Sequence, residues 1–165
     1  AAKKAEVPVF INGSSIHAGT GNIPVYTIDA SLEETPEPYK SSIDPDSDFD
    51  LRKDEPGKLL DPRQNNPDSP YGWSKIMTEK KLKKAVKQRE FRLGVSIRIG
   101  RVNAEDLKHV DGEPFYPSLY WSHKDLGRTI QNIANSKKTG YHQLYGVSDK
   151  KERIFNIENS FIGKK

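Results

Sequence analysis

Ser69-Pro70-Tyr71-Gly72-Trp73-Ser74-Lys75 opens a long helical pattern, and its reading decides the fold. Proline is tolerated in the first turn of a helix, and the pattern runs from about Pro70 to Arg89, with Gly94 following its end. Tyr71 and Lys75 stand four positions apart, which puts their side chains on one face. A phenol, with an ordinary pKa of about 10, is a poor base at neutral pH unless a cation favours the phenolate, and an ammonium one turn along is such a cation. By itself the spacing also fits a buried ring beside a solvated amine. Trp73, Ile76, Met77, Leu82, Ala85 and Val86 make an imperfect apolar face that should pack on a sheet or a partner. Lys80, Lys81, Lys83, Lys84 and Lys87 oppose it, and without interleaved aromatics they read as a solvated face rather than a nucleic-acid surface.

Strand patterns flank this helix. Val7-Pro8-Val9-Phe10-Ile11-Asn12-Gly13-Ser14-Ser15-Ile16-His17 reads as a short buried strand, Val7 to Gly13, running into a hydroxyl-rich turn. Ser14 and Ser15 there are either turn residues satisfying nearby backbone groups or functional hydroxyls. Downstream, Val95 to Val102 is nearly continuous in apolar residues apart from Ser96, Arg98 and Arg101, as expected of a parallel strand covered on both faces. Ligands of such sheets bind outside the carboxyl ends of the strands, which makes Ile99, Gly100 and Arg101 expected neighbours of a ligand.

The order of a strand with Ser14-Ser15, a Tyr71-Gly72-Trp73-Ser74-Lys75 helix, and a Ser96-Ile97-Arg98-Ile99-Gly100 strand resembles the extended short-chain dehydrogenase/reductase superfamily. Within it the likeness is greatest to uronate dehydrogenases and related NAD-dependent epimerase/dehydratase proteins, and Trp121-Ser122-His123-Lys124-Asp125 and Tyr145-Gly146-Val147-Ser148-Asp149 also look like segments of that branch. The resemblance implies an α/β fold, the C-terminal part of a doubly wound Rossmann-type parallel sheet, with the N-terminal dinucleotide-binding half absent. It implies an NAD(P)-dependent oxidoreductase acting on a sugar or sugar acid, with NAD or NADP as cofactor. Tyr71 would exchange a proton with the substrate hydroxyl, Lys75 would lower the Tyr71 pKa and hold the nicotinamide ribose, and Ser15 would orient the reacting oxygen. Ile99 would border the nicotinamide, and His17 and Arg101 the substrate. Ile16 departs from the Asn often found between the Ser and the His, and Arg101 stands where a small hydroxyl residue is common. Arg101 would then hold a carboxylate or phosphate through a bidentate contact, or form a surface salt bridge. Epimerase or dehydratase chemistry on a nucleotide sugar is the second reading, and a non-catalytic remnant binding a partner through an open sheet edge the third. The family also implies a homodimer through the Tyr71–Arg89 helix, and the isolated chain is expected to be inactive.

The bulk properties agree with one modest core. The 165 residues are 33% hydrophobic and 30% charged, with a mean hydropathy of −0.81 and a formal charge of +4. No apolar run is long enough for a bilayer, no signal-peptide pattern opens the chain, and no cysteine offers a disulfide or thiolate site, so a cytoplasmic setting without nucleic acid or membrane partners is expected. Ala1-Ala2-Lys3-Lys4-Ala5 looks like the end of a helix already under way, and Phe155 to Lys165 stops where the family continues. The domain organisation is therefore one partial Rossmann-type domain over 1–165 with a long loop insertion at about 19–67, a lid or a surface excursion. Gly19-Thr20-Gly21 inside it is turn chemistry rather than a dinucleotide fingerprint, since Pro24 stands where the third Gly belongs. Asp44, Asp46, Asp48, Asp50 and Glu55 imitate a calcium loop, but Phe49 stands where its Gly is required, so a solvated acidic loop is the better reading and no metal is expected. His109, Asp111 and Glu113 would border the substrate pocket. Ser122 to Asp125 forms a capping box for a helix through Asn135, and Tyr141 to Val147 is the last strand.

Overall fold

A computed structural model describes residues 7–21, 59–109, 116–148, 154–158 and 161. Three strands, β1 (Val9–Ser15), β2 (Leu93–Ile99) and β3 (Gly140–Gly146), form a parallel sheet in the order β1-β2-β3. Helix α1 (Pro70–Lys87) connects β1 to β2, and a short helix α2 (Tyr116–Leu119) and helix α3 (His123–Ala134) lie between β2 and β3. Parallel neighbours require crossovers of this kind, since no tight turn joins two strands that run the same way. The α/β, Rossmann-type reading of the sequence therefore holds.

The boundaries moved in informative ways. The first strand begins and ends two residues later than Val7–Gly13, because Ser14 and Ser15 pair in register with Arg98 and Ile99 and so belong to the sheet rather than to a turn. The second is Leu93–Ile99 rather than Val95–Val102, since Leu93 pairs with Val9 and Gly140 while the sheet ends at Ile99. The third is shifted by one residue from Tyr141–Val147. Helix α1 stops at Lys87 because Arg89 takes a left-handed backbone, with φ of 60°, a conformation that ends helices. Gly94 is no helix stop. It lies in β2 where a Cβ would collide with Val86 Cγ2 and crowd Leu82, so its missing side chain lets α1 approach the strand.

The two faces of the sheet differ in chemistry because side chains alternate along a strand. Leu93, Val95, Ile97 and Leu144 face α3, where Trp121, Ile133 and Phe161 close an apolar core with Val9, Ile11, Ile99, Leu126 and Ile130 packed around it. The face toward α1 carries a polar layer. Arg98, with a fully buried side chain, donates from Nε to Glu79 Oε1 at 2.9 Å and from Nη2 to Glu79 Oε2 at 3.0 Å. Ser14 Oγ and Gln143 Nε2 donate to the same carboxylate at 2.6 and 2.8 Å, so one acid on α1 is bonded to all three strands. Burial works against the charge on Arg98, but Glu79, with a smaller contribution from Tyr145, more than offsets it and the guanidinium pKa is raised. Glu79 thus occupies the buried stripe of α1 with Gly72, Ile76, Leu82 and Val86, whereas Met77, read as apolar face, is 41% exposed.

The end of the 19–67 stretch is tied into the fold. Leu60 forms a parallel bridge with Phe155 and joins an apolar cluster at the carboxyl end of the sheet with Ile16, Leu119, Tyr145, Val147 and Ile157. Arg98 donates to Gln64 O and Asn65 Oδ1 at 2.5 and 2.6 Å, which ties the segment to the strand. The acids of the imitated calcium loop, the first five residues, and Asp111 and Glu113 lie outside the described residues. Among the described residues, no helix is long and apolar enough to cross a membrane.

Ser122 caps α3 as expected, accepting from Asp125 N–H at 3.1 Å, and Ser148 extends the cap by donating to Asp125 Oδ2 at 2.6 Å.

Two predictions follow from the polar layer. Arg98→Met leaves the Glu79 carboxylate buried without its cation and is expected to cost about 3–5 kcal/mol in urea unfolding, while the double variant Arg98→Met/Glu79→Leu should recover much of that loss; equal losses in the two variants would contradict the pairing. Tyr141 is pushed up to about 12, chiefly by burial, against about 10 for an exposed phenol. Its raised folded-state value contributes stability that is fully present below about pH 10 and is lost as pH rises through about 12. Tyr141→Phe should therefore flatten the alkaline fall in unfolding free energy over that window, as read by denaturant titrations at successive pH values.

Candidate active site at the carboxyl end of the first strand

The site is built where β1 gives way to the chain leading into α1. Ser15 ends the strand and caps a single 3-10 turn, Ile16–Ala18, with Oγ accepting from His17 N–H at 3.3 Å. The chain then meets the segment before α1. Asn66 N–H donates to Ala18 O at 3.1 Å, Gly21 N–H to Asn66 O at 2.8 Å, and Asp68 N–H to His17 O at 3.2 Å. Two loops distant in sequence are thereby zipped together at the mouth of the sheet, and the Gly19-Thr20-Gly21 stretch is turn structure as read.

Helix α1 starts against this zipper. Ser69 is its N-cap, accepting from Gly72 N–H at 3.2 Å, and Pro70 occupies the first turn, where its missing N–H costs nothing. Gly72 is buried at the contact, and a Cβ there would collide with the carbonyl of His17. The glycine between Tyr71 and Lys75 is therefore what allows the helix to dock so close to the turn.

Tyr71 is 52% exposed, and its ring meets the His17 ring edge-on with centroids 5.7 Å apart. Lys75 Nζ lies 5.2 Å from the Tyr71 ring centroid and donates to Gly13 O at 3.3 Å. The expected shared face of Tyr71 and Lys75 is present, and Lys75 is turned back over the end of β1. Ser15 is buried in the same turn as His17, and Ile99, paired in register with Ser15, stands beside it at the end of β2. Five of the residues singled out from sequence, Ser15, His17, Tyr71, Lys75 and Ile99, thus belong to one region where two strands end and one helix begins. Arg101 lies beyond β2, its N–H donating to Leu119 O at 2.8 Å and its carbonyl accepting from Trp121 N–H at 2.8 Å, with an exposed side chain. His123 holds no place in this region, as expected from its cap setting. Its N–H donates to Asp106 Oδ1 at 2.9 Å, and its ring Nε2 bonds Asn103 O at 2.7 Å. His109 is exposed.

Sequence reasoning missed Asp68. Its buried carboxylate collects His17 Nδ1 at 2.7 Å, Thr20 Oγ1 at 2.6 Å and Ser69 Oγ at 2.7 Å. No local pattern marks Asp68, since Pro67-Asp68-Ser69-Pro70 reads as a turn before a helix. Its main partner is 51 positions away. Glu79 was missed too, although an acid on the apolar stripe of a helix, facing an arginine in an otherwise apolar strand, is a legible signal for a buried pair.

A parallel sheet with helices on both faces and a polar cluster outside a strand's carboxyl end defines the class as a Rossmann-type α/β fold. No protein-family model and no curated protein matches the sequence. Two solved structures share the fold. A mutated uronate dehydrogenase is similar at 20% identity with a TM-score of 0.64, over 94% of this chain and 43% of that one. A uronate dehydrogenase from Agrobacterium tumefaciens is similar at 20% identity with a TM-score of 0.52, over 61% of this chain and 36% of that one. The chain thus spans less than half the length of either, and at this identity the likeness is one of fold.

The docking of α1 generates a prediction with an internal control. Gly72→Ala should destabilise the chain by about 1–3 kcal/mol through overpacking against His17. Gly127→Ala, at a helical position with nothing within 4 Å of an added Cβ, should stabilise it by about 0.5–1 kcal/mol. Chemical denaturation of both variants checks the pair, and a harmless Gly72→Ala would refute the close approach.

Proposed function

We propose that this chain carries the proton-transfer site of an NAD(P)-dependent oxidoreductase acting on a sugar acid. The observation that carries the reading is the Lys75 ammonium set over the Tyr71 ring while anchored to the carbonyl of Gly13, two residues before the serine that ends β1. The two uronate dehydrogenase structures of the same fold support the substrate class.

In the proposed reaction a sugar carbon bearing a hydroxyl is oxidised to a carbonyl. Tyr71, as phenolate, takes the hydroxyl proton. Lys75 holds positive charge beside the ring and offsets the negative charge that passes between the substrate oxygen and the phenol. Its bond to Gly13 O keeps the flexible ammonium from swinging into solvent. Ser15 orients the reacting oxygen by sharing the hydroxyl that also caps the His17 turn. A nicotinamide held here would supply the hydride acceptor, so that one hydrogen leaves the carbon with two electrons while the hydroxyl proton goes to Tyr71. The donor set suits the nicotinamide-ribose end of a dinucleotide: Lys75 offers N–H donors to ribose hydroxyls, and Ile99 offers an apolar edge. Among the described residues no glycine-rich turn opens a helix for the pyrophosphate, so these residues account for one end of such a cofactor.

The test is oxidation of a uronate by the full-length gene product with NAD or NADP, followed by the absorbance of the reduced nicotinamide. Tyr71→Phe should lower kcat by about 10²–10⁴-fold. A variant as active as the parent would remove Tyr71 from the chemistry.

A further inference from the structure

Outside the Glu79 layer, Asp68 is a buried carboxylate with hydrogen bonds on both oxygens. Its side chain is 1% exposed, against 37% for the His17 side chain that it touches. Three donors converge on it: His17 Nδ1 and Thr20 Oγ1 on Oδ2, and Ser69 Oγ on Oδ1. The main chain repeats the link, since Asp68 N–H donates to His17 O at 3.2 Å. Ring and backbone of one residue are thus clamped by one partner, and Gly72 closes the remaining side of the His17 carbonyl.

We propose that Asp68 is a positioning residue that holds the His17 imidazole in its Nδ1–H form, edge-on to Tyr71, for contact with a polyhydroxylated substrate. A carboxylate gathering three donors acts as acceptor only, so the proton of the short bond resides on Nδ1. That form is the one a free histidine side chain disfavours, and a fixed acceptor on Nδ1 is the usual way proteins select it. In the neutral ring Nε2 is then an acceptor, the polarity that suits a sugar hydroxyl. Thr20 and Ser69 complete the carboxylate's hydrogen bonding and keep it from rotating away from the imidazole. The contact with the Tyr71 ring, at 5.7 Å between centroids, brings this imidazole to the proposed proton acceptor without placing it in the proton transfer itself.

The substrate part of this inference rests on the oxidoreductase reading, whereas the tautomer part does not, and the experiment separates them. Nitrogen-15 spectra of the 165-residue chain, taken above the His17 titration, should show Nδ1 protonated and Nε2 bare. Asp68→Asn should move His17 to a mixture or to the Nε2–H form. A parent chain with Nε2–H, measured without any variant, overturns the proposal even if Asp68→Asn fails to fold. In the full-length gene product Asp68→Asn should raise KM for the sugar acid at least about fivefold with kcat within about twofold, the pattern of lost substrate binding rather than lost chemistry. An unchanged KM with an altered tautomer would overturn the substrate role of Asp68. If instead Tyr71→Phe retains full activity while the tautomer depends on Asp68, the oxidoreductase reading fails and the positioning of His17 by Asp68 stands.

Discussion

The buried pairing of Arg98 with Glu79 is the constraint on which the arrangement depends. Two charges removed from water are tolerable only if their remaining hydrogen-bonding capacity is filled, and here it is filled by Ser14, Gln143, Gln64 and Asn65. Those partners come from β1, β3 and the segment before α1. A sliding of α1 along the sheet would break several bonds at once, whereas an apolar interface would tolerate small shifts. The polar layer therefore sets the position of α1 more sharply than its apolar side chains do.

That position has a direct chemical consequence. Lys75 and Tyr71 lie about one and two turns up the same helix from Glu79, so fixing Glu79 fixes where the ammonium and the phenol emerge. Both ends of the helix are set by missing side chains: Gly72 in its first turn admits the His17 carbonyl, and Gly94 of β2 admits Val86 in its last. Asp68 then adds the imidazole to the same group. The site is thus held at its base by a charge pair, at its rim by a carboxylate with three donors, and between them by the close approach of Gly72 to the His17 carbonyl.

Fold and chemistry are separate claims here. The parallel sheet, its register and the two kinds of face follow from the strand pairing, and the fold is shared with two uronate dehydrogenase structures. The oxidoreductase assignment rests on the side chains gathered at the carboxyl end of β1, because folds of this type host many chemistries.

Much of this was legible in the one-dimensional pattern. Apolar runs, a proline at the start of a helical pattern, and a tyrosine and lysine one turn apart are local properties, and local geometry translates them directly into strands, a helix start and a shared face. What the tertiary structure alone decided are the pairings between distant residues. Ser14 and Ser15 became strand residues because Arg98 and Ile99 lay beside them, Leu60 left the apparent loop for the core because Phe155 offered a bridge, and Asp68 found His17 across 51 positions. A spacing rule reaches along one element, whereas a buried polar group is satisfied by whichever partner the packing brings within hydrogen-bond distance.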